Sequence, residues 1–432
     1  MKGMKLAIMA ALVGLCGVAQ GQGGRQLRLS LDEAQAYALE HNAAMKNADL
    51  DMKKAEYDSW KTLASMFPQV SASADYQNML GYEMVMGEGP TAFHIPMDPS
   101  GTLTITASVA VTGAQIVGTL LQKIAREVTD ITRQQTEQQT RSSVKSVYVS
   151  ILVMEQTVGL LDSSLANLER LAATSQASVE VGAAEQVDAD KLQVQVAQMK
   201  SSISSTKRSL QALRNTMLLQ LGADVDAELV LTTDVDDILS VDNAMQLMGR
   251  GFDITKNYNY RLLEQQELMA RRNVTMAWMN LTPTVAAYYS FNKKKYFGKE
   301  GMNMTPPNMI GASVNLPIFS SGVNTVAIRS AKIDLQETLN NRQQAEDGLR
   351  VQYNQLSYDL ATALETFDIQ KRNLDVTKRV FDNLTEKYKF GRASSLEVTN
   401  ASTDIISAQS SYIQAVMSVI NAQTELENLL NE

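Results

Sequence analysis

Alternating apolar and polar residues follow a proline at two distant places in the chain. After Pro68, the apolar positions are Val70, Ala72, Ala74 and Tyr76, separated by Gln69, Ser71, Ser73 and Asp75. After Pro283, they are Val285, Ala287, Tyr289 and Phe291. Each run is followed by a loop and a second alternating run, with Leu103 and Ile105 in the first copy and Ile310 and Val314 in the second. Because successive side chains of a strand point to opposite faces, the pattern predicts four strands of about ten residues.

Apolar residues spaced alternately by three and four positions follow each strand pair. The first long stretch carries Val144, Val147, Ile151, Met154, Val158, Leu161, Leu165 and Leu168, and the stretch after it carries Leu192, Val196, Met199, Ile203, Leu210, Leu213 and Met217. The second half repeats the pattern less regularly at Ile405, Tyr412, Val416, Val419, Leu426 and Leu430. This spacing predicts heptad seams, and a helix of roughly 60 residues would extend about 90 Å.

A matching phrase opens each half of the chain, Leu-Ser-Leu-Asp-Glu-Ala at 29–34 and Leu-Ser-Val-Asp-Asn-Ala at 239–244. In the first, Ser30 and Glu33 have the spacing of a capping box, in which each residue's side chain binds the other's backbone amide. All 8 prolines fall in two windows around the predicted strands, which leaves the rest of the chain free to be helical. We therefore predict further helices over 31–66 and 241–280.

Glycine turns are predicted between the paired rods, at Gly182 and at Gly391. Each glycine precedes an acid by six residues, Asp188 in the first turn and Glu397 in the second. A carboxylate at the start of the returning helix is stabilised by the helix dipole. The chain is thus predicted to be a duplicated protein, with a first structural repeat at 22–222, a polar linker at 223–238 and a second structural repeat at 239–432.

The amino-terminal residues 1–21 have the pattern of a secretory signal peptide. Lys2 and Lys5 precede an apolar run, and Gly21 ends the segment with a small residue. Cys16 offers a lipoprotein anchor as an alternative, although Leu15 is bulky where such sites take a small residue. Cleavage after Gly21 would leave a mature chain without cysteine, so we expect an exported protein stabilised by packing or assembly.

Composition adds little chemistry to this picture. The formal net charge of −8 provides no basic field for nucleic acid. Two histidines and one cysteine leave almost nothing for a metal site or a nucleophile. We therefore predict no catalytic residues, no metal and no cofactor, and expect that the protein is not an enzyme.

The predicted strands have the length of tilted transmembrane β-strands. A half-exposed sheet in a soluble protein would alternate in the same way. Membrane insertion is favoured because the helical seams leave little to cover the apolar face, whose candidate lipid-facing residues are Val70, Tyr76, Leu103, Ile105, Val285, Tyr289, Ile310 and Val314. Four strands are too few to close a barrel, so insertion would require a dimer of eight strands or a trimer of twelve. Trp60 and Trp278 lie shortly before a strand and are candidates for a membrane-interface belt or for ordinary packing.

The order of these features resembles the TolC-like outer-membrane efflux protein family. The resemblance extends from about Leu29 to the carboxyl terminus, and it rests on the order and duplication of individually weak motifs. It implies an α+β membrane protein built from a duplicated unit of helix, strand, strand and long helical hairpin. It also implies a homotrimer with a twelve-stranded β-barrel in the bacterial outer membrane, continued into the periplasm by an α-helical barrel. The implied partners are a periplasmic adaptor protein, an inner-membrane pump and outer-membrane lipid, with no nucleic acid.

The resemblance also implies a periplasmic aperture at the helix turns. By position after the turn glycine, Asp188 and Glu397 correspond to acids that ring the pore, and Tyr388 corresponds to a tyrosine of the closing network. Two positions depart from the family pattern: Asn400 stands where a second acid is common, and Ala393 stands where an arginine is expected, with Arg392 beside it. We therefore expect a weaker acidic ring. Helix capping by the two acids and packing by Tyr388 are the alternative roles.

The expected function is passive export of small molecules through the outer-membrane channel of a tripartite efflux system. The outer-membrane duct of type I protein secretion would have the same sequence features and stays open as an alternative. A trimeric coiled-coil envelope scaffold or adhesin is an alternative of another class, and it predicts a protein without a lumen.

Overall fold

A computed structural model describes residues 26–89, 92–182, 185–233, 238, 241–298 and 305–431. The predicted signal peptide at 1–21 and the alternative anchor at Cys16 lie outside these residues. The helices are α1 Leu31–His41, α2 Ala43–Ala64, α3 Gly113–Glu180, α4 Gln186–Leu221, α5 Val241–Gly249, α6 Tyr258–Met279, α7 Val323–Lys389 and α8 Ser395–Leu430. The strands are β1 Gln26–Leu29, β2 Gln69–Gln77, β3 Glu83–Met86, β4 Phe93–Pro96, β5 Ser100–Val111, β6 Glu228–Leu231, β7 Thr284–Tyr296 and β8 Asn308–Asn315.

The two halves of the chain have the same order of main elements. Helices α1 and α2 lead to β2 and β5 and then to the hairpin of α3 and α4. Helices α5 and α6 lead in the same way to β7 and β8 and then to the hairpin of α7 and α8. The predicted unit of helix, strand, strand and long helical hairpin is therefore present twice among the described residues.

The rods α3 and α7 contain 68 and 67 residues. At 1.5 Å of rise per residue, each extends roughly 100 Å. Seven of the predicted seam positions are half-buried: Val147, Met154, Val158, Leu165, Val196, Leu213 and Tyr412. The other fourteen are buried: Val144, Ile151, Leu161, Leu168, Leu192, Met199, Ile203, Leu210, Met217, Ile405, Val416, Val419, Leu426 and Leu430. They pack in two clusters, one near each end of the hairpins, and both clusters join residues from the two halves.

One described helix, α3, is long and apolar enough to cross a membrane by length and composition alone. Half of its most apolar stretch is buried against the rest of the chain. Leu152 and Val153 of α3 belong to the larger core cluster. The apolar character of α3 is therefore used in helix packing.

Both shorter predicted helices are interrupted, so the prediction of continuous helices over 31–66 and 241–280 was wrong. The first breaks at Asn42, where ψ is 137° and the chain is extended. The second ends at Gly249 and resumes at Tyr258 after Asn257, where ψ is 128°. Each asparagine caps the helix that follows it, since its side chain accepts hydrogen bonds from backbone amides of that helix.

The two capping asparagines also hold the ends of the returning helices. Asn42 Nδ2 donates to the carbonyl of Gln220 at the end of α4 (2.6 Å), and Asn257 Nδ2 donates to the carbonyl of Leu429 at the end of α8 (2.9 Å). Gly222 ends α4 with φ of 67°, so close to His41 that a Cβ atom there would lie 2.3 Å from the His41 carbonyl oxygen. These bonds satisfy carbonyls that a helix end leaves without an intrahelical partner.

A parallel pair of short strands, β1 and β6, joins the start of the first repeat to the segment between the repeats. Tyr148 of α3 is fully buried beneath them. Its hydroxyl donates to the Leu29 carbonyl (3.0 Å) and accepts from the amides of Thr232 (3.2 Å) and Thr233 (3.0 Å). Strand β6 lies within the range 223–238, which the sequence suggested was only a polar linker.

The main sheet has the strand order β2-β5-β7-β8, and each neighbouring pair is antiparallel. Packing between helices follows the same order, with α2 against α3, α3 against α6 and α6 against α7. Glu267 of α6 helps to join α6 to α7, because it pairs with Arg342 of α7. Within α6 it also pairs with Arg271 at 2.6 Å. These bonds, led by that from Arg271, hold the pKa of Glu267 below its usual range.

Candidate functional site

The predicted apolar residues of the four strands share one face of the sheet. Cross-strand pairing places Val70 opposite Ala107, Ala107 opposite Tyr289 and Tyr289 opposite Ile310. The other candidate lipid-facing residues lie on the same face of the sheet: Tyr76, Leu103, Ile105, Val285 and Val314. All eight are exposed, from 38% for Ile105 to 84% for Ile310. We call this surface the apolar face.

The opposite face of the sheet is mainly polar. It presents Ser71, Ser73, Thr104, Thr106 and Ser290. Thr104 Oγ1 donates to Asn292 Oδ1 (3.0 Å), and Asn292 Nδ2 donates to Ser290 Oγ (3.3 Å). The sheet therefore separates a continuous apolar surface from a hydrogen-bonded polar one.

The turns at the far end of the rods have the predicted glycines. Helix α3 ends at Glu180 and Gly182 follows with φ of 74°, and α7 ends at Lys389 and Gly391 follows with φ of 67°. This left-handed conformation is strained for residues with a Cβ atom. The glycines thus allow each rod to end abruptly before the chain returns.

Asp188 lies in the first turn of α4 and connects the two hairpins. The Ser395 hydroxyl, at the start of α8, donates to Asp188 Oδ1. Lys191 Nζ lies 3.7 Å from the same carboxylate oxygen. Ser395 is only 3% exposed, so this contact is shielded on the serine side. The carboxylate of Asp188 therefore both suits the positive end of α4 and binds the neighbouring hairpin.

Glu397 caps its own helix. Its carboxylate accepts from the Ser394 amide (2.7 Å) and the Ser394 hydroxyl (2.9 Å), while its amide donates to Ser394 Oγ (3.2 Å). The hydrogen bond from the Ser394 backbone, followed by that from the hydroxyl, lowers the pKa of Glu397. Asn400 is exposed one turn further along α8. The Ser394-x-x-Glu397 spacing is the sequence signal for this capping box.

Tyr388, near the end of α7, is partly buried and reaches the other hairpin. Its hydroxyl donates to Ser175 Oγ of α3 over 3.0 Å, and Ser175 is 2% exposed. Its ring packs against the core cluster nearest the turns. The structure thus brings Asp188, Tyr388 and Glu397 to one end of the rods, where Asp188 and Tyr388 bind Ser395 and Ser175. The sequence offered no signal for these two serines, because both act through partners distant in the chain.

Metal-binding groups are not assembled in the part of the chain that the structure describes. No group of three or more His, Cys, Asp or Glu side chains there could hold a metal ion. Asp188 and Glu397 instead accept hydrogen bonds from serine hydroxyls, and Glu397 also accepts one from a backbone amide. What the described geometry provides is a surface and a set of links between helices.

Comparison with known proteins agrees with this arrangement of sheet and rods. Residues 261–432, which carry α7, α8 and the strands before them, match the model of the family described as outer membrane efflux protein. This chain is similar to the outer-membrane efflux proteins. The resemblance stated from the sequence is therefore confirmed.

Two curated relatives share low sequence identity with the chain. Outer membrane efflux protein BepC of Brucella suis is 22% identical over 304 residues, and the match covers 68% of this chain but only 63% of BepC. The probable efflux pump outer membrane protein TtgC of Pseudomonas putida is 23% identical over 393 residues, with 88% of this chain and 78% of TtgC covered.

The fold has a close counterpart among solved structures. The crystal structure of CusC, described in terms of transmembrane channel formation, superimposes with a TM-score of 0.73 and covers 95% of each chain. The sequence identity is 15%, so this likeness establishes the fold. The chain thus has the fold of an outer-membrane channel protein.

Proposed function

We propose that this protein is the outer-membrane channel of a tripartite efflux system. In this proposal three copies form a passive duct through the bacterial outer membrane and into the periplasm, and small molecules leave through it. A periplasmic adaptor protein and an inner-membrane pump supply the coupling and the energy. The names of BepC and TtgC, an efflux protein and an efflux pump component of the outer membrane, support this role.

The observation that carries the proposal is the uncovered apolar face of a sheet with two open edges. Strands β2 and β8 each have one edge without a partner among the described residues. In lipid, unpaired backbone groups are too costly to leave exposed, and four strands cannot close on themselves. A ring of three copies would pair β8 of one copy with β2 of the next and give twelve strands.

The order of the helices supports the same ring. Helix α2 precedes the edge strand β2, and α7 follows the edge strand β8. These two helices are therefore the outermost in the row α2, α3, α6 and α7, as β2 and β8 are the outermost strands of the sheet. Both expose apolar side chains, Leu50 and Tyr57 on α2 and Val326 and Ile333 on α7, each at 58% or more. Contact between α7 of one copy and α2 of the next would cover these side chains and continue the barrel as helices.

The proposed entrance lies at the glycine turns. Asp188 and Glu397 of three copies would form an acidic ring that favours cations, with Asn400 beside it as a neutral position. The bonds of Asp188 to Ser395 and of Tyr388 to Ser175 hold the two hairpin tips of one copy together. They add to the apolar core cluster nearest the turns, which also joins the two hairpins.

The test combines conductance with oligomer size. The purified chain is added to planar lipid bilayers, and single-channel currents are recorded. In parallel, cysteines are introduced at Ser71 on β2 and Ser313 on β8, and a bismaleimide cross-linker joins neighbouring copies. We expect discrete conductance steps and a cross-linked ladder that ends at three copies.

Matched single-cysteine variants at Ser71 or Ser313 form the control. Each copy then has one cysteine and can be cross-linked to only one other copy, so no product larger than two copies can form. A ladder that ends at two copies would contradict the trimer. Trimers without any conductance would contradict the duct and favour the envelope scaffold.

A further inference from the structure

Three consecutive lysines, Lys293 to Lys295, end strand β7 at the side of the sheet away from the helices. Cross-strand pairing places Lys293 opposite Leu103 and Lys295 opposite Gly101, whereas Lys294 lies opposite Thr102. Lys293 and Lys295 therefore belong to the apolar face, and Lys294 belongs to the polar face. The same strand thus carries two cations on one side and one on the other.

Two aromatic side chains adjoin the lysines of the apolar face. Gly101 of β5 lies between Lys295 of β7 and Tyr76 of β2, and it is paired with both. The Phe297 ring covers Gly101, because a Cβ atom there would lie 3.2 Å from the ring, and its centre is 5.8 Å from that of Tyr76. Lys295 Nζ lies 5.7 Å from the centre of the Phe297 ring. We call Lys293, Lys295, Tyr76 and Phe297 the cationic patch.

The two lysines of this patch are accessible to a partner from outside the chain. Lys293 and Lys295 are exposed, and neither forms an ion pair with a carboxylate among the described residues. Tyr76 and Phe297 are 67% and 58% exposed. Two exposed lysines at the end of an apolar surface are poorly suited to contact with the hydrocarbon itself. Such a pair is well suited to contact with the charged lipid headgroups beside the hydrocarbon.

The height of the patch agrees with the position of that layer. From Val285, at the helix end of the apolar face, Lys293 is eight residues along β7 and Lys295 is ten. With about 3.4 Å per residue and a strand tilt of about 40°, these residues lie roughly 21 Å and 26 Å above Val285. The apolar band of a membrane barrel is about 25 Å tall. The two ammonium groups therefore reach the headgroup level, since lysine stems extend toward the polar layer.

We propose that the cationic patch binds the phosphate group of a lipid in the leaflet at the far end of the sheet. The two lysines bind the phosphate oxygens, while Tyr76 and Phe297 contact the glycerol or sugar region and the upper acyl chain. This inference rests on the proposed function, because it requires the apolar face to contact lipid. It adds a specific lipid partner, and the duct itself does not require one.

The test measures lipid binding to the detergent-solubilised full chain by native mass spectrometry. The probe is dimyristoyl phosphatidic acid, and dimyristoyl phosphatidylcholine provides the comparison. A lysine near an anionic lipid surface contributes about 1 kcal/mol, which corresponds to about 5-fold in affinity. We expect Lys293→Gln or Lys295→Gln to weaken phosphatidic acid binding about 5-fold, and the double variant to weaken it roughly 30-fold.

Lys294→Gln is the matched control, because it removes the same charge from the same strand on the polar face. We expect phosphatidic acid binding to this variant to equal that of the unsubstituted chain. An equal loss in Lys294→Gln would overturn the proposal, since net charge alone would then explain the effect. Unchanged binding by the double variant would also overturn it.

Two further measurements distinguish a lipid phosphate from a free phosphate, and the lipid site from the proposed duct. Displacement of phosphatidic acid by an equal concentration of inorganic phosphate would overturn a lipid site and indicate a free-anion site. Conductance of the unsubstituted chain in phosphatidylcholine bilayers tests the duct without any anionic lipid. If the unsubstituted chain conducts but all lysine variants bind phosphatidic acid equally well, the lipid site is rejected and the duct is not. If the unsubstituted chain fails to insert into the bilayer, both the lipid site and the duct are rejected.

Discussion

Small polar residues determine where the long helices begin. Capping boxes open α1 with Ser30 and Glu33, α3 with Thr112 and Gln115, and α8 with Ser394 and Glu397. The first of these boxes was predicted from the sequence and is confirmed. In the third, the residue expected to charge the channel entrance is the same residue that stabilises the helix start. Glu397 therefore combines a structural role with its proposed electrostatic one.

Substitution of Ser394 by alanine should weaken the start of α8 and its response to acid. The folded state lowers the pKa of Glu397, so the stabilisation it provides is present above the unfolded-state pKa and is lost as the pH falls through the folded-state value. In Ser394→Ala this acid-dependent part should shrink. Hydrogen-exchange protection factors for residues 394–400, followed from neutral to acidic pH, measure the effect.

The Ser30–Glu33 box provides the matched control, because the pKa of Glu33 is lowered by the same kinds of hydrogen bond. Ser30→Ala should change protection at the start of α1 and leave the start of α8 unchanged. Equal acid sensitivity of α8 with and without Ser394 would show that this capping box does not control it.

At the scale of elements, the two repeats share a kink that the sequence did not reveal. In each repeat an extended asparagine interrupts the helix leading to the sheet and binds the end of the returning helix, through Asn42 and Asn257. Asn431 adds to the second junction, since its Nδ2 donates to the Lys256 carbonyl over 2.8 Å. In each repeat, the helix that leads to the sheet is thus bound to the end of the returning helix. In the same region β1, β6 and Tyr148 join the two repeats.

Asn257→Ala should lower the free energy of unfolding by roughly 3 kcal/mol. It removes a helix cap, which costs about 1 kcal/mol, and leaves the buried Leu429 carbonyl unpaired, which costs roughly 2 kcal/mol. Denaturant titration of the detergent-solubilised protein measures the change. Asn340→Ala, at an exposed position of α7, serves as the control and should change stability by less than about 0.5 kcal/mol. Equal stability of the two variants would disprove the role of Asn257.

In the whole molecule, the candidate functional residues lie at two opposite ends. The sheet carries the apolar face and the cationic patch, both of which we propose to contact lipid. The turns, roughly 100 Å away along the rods, carry the acids and the links between hairpins. In the proposed trimer each turn residue occurs three times around the axis, so one substitution changes a ring of charges.

Glu397→Ala should lower the cation selectivity of the closed-state pore. Three negative charges would leave the proposed entrance, and the potential that attracts cations would fall. Reversal potentials across a salt gradient in planar bilayers measure selectivity. Glu397→Gln tests the cause, because glutamine can keep the capping-box geometry while it removes the charge. Both variants should therefore lose selectivity to a similar extent.

Unchanged reversal potentials in both variants would remove Glu397 from the ring. A loss in the alanine variant alone would assign the effect to the helix cap. The structure makes this distinction necessary, since the carboxylate already accepts two hydrogen bonds from Ser394.

The features that depend on local periodicity could be predicted from the amino-acid pattern alone. Alternation placed residues such as Val70 and Tyr289 on one face, because the side-chain period of a strand is two and pairing keeps that face continuous. The three-four spacing determined the buried seams of the rods, and Gly182 and Gly391 marked the turns because glycine accepts positive φ. These signals depend only on residues that are near each other in the chain.

The features that depend on distant partners became evident only in the folded chain. The breaks at Asn42 and Asn257 exist because the ends of α4 and α8 accept their side-chain hydrogen bonds, and β1 becomes a strand because β6 lies beside it. The links from Ser395 to Asp188 and from Ser175 to Tyr388 join residues 207 and 213 positions apart. No local pattern encodes such contacts, because a serine or an asparagine has the same local preferences whether or not a distant partner is present.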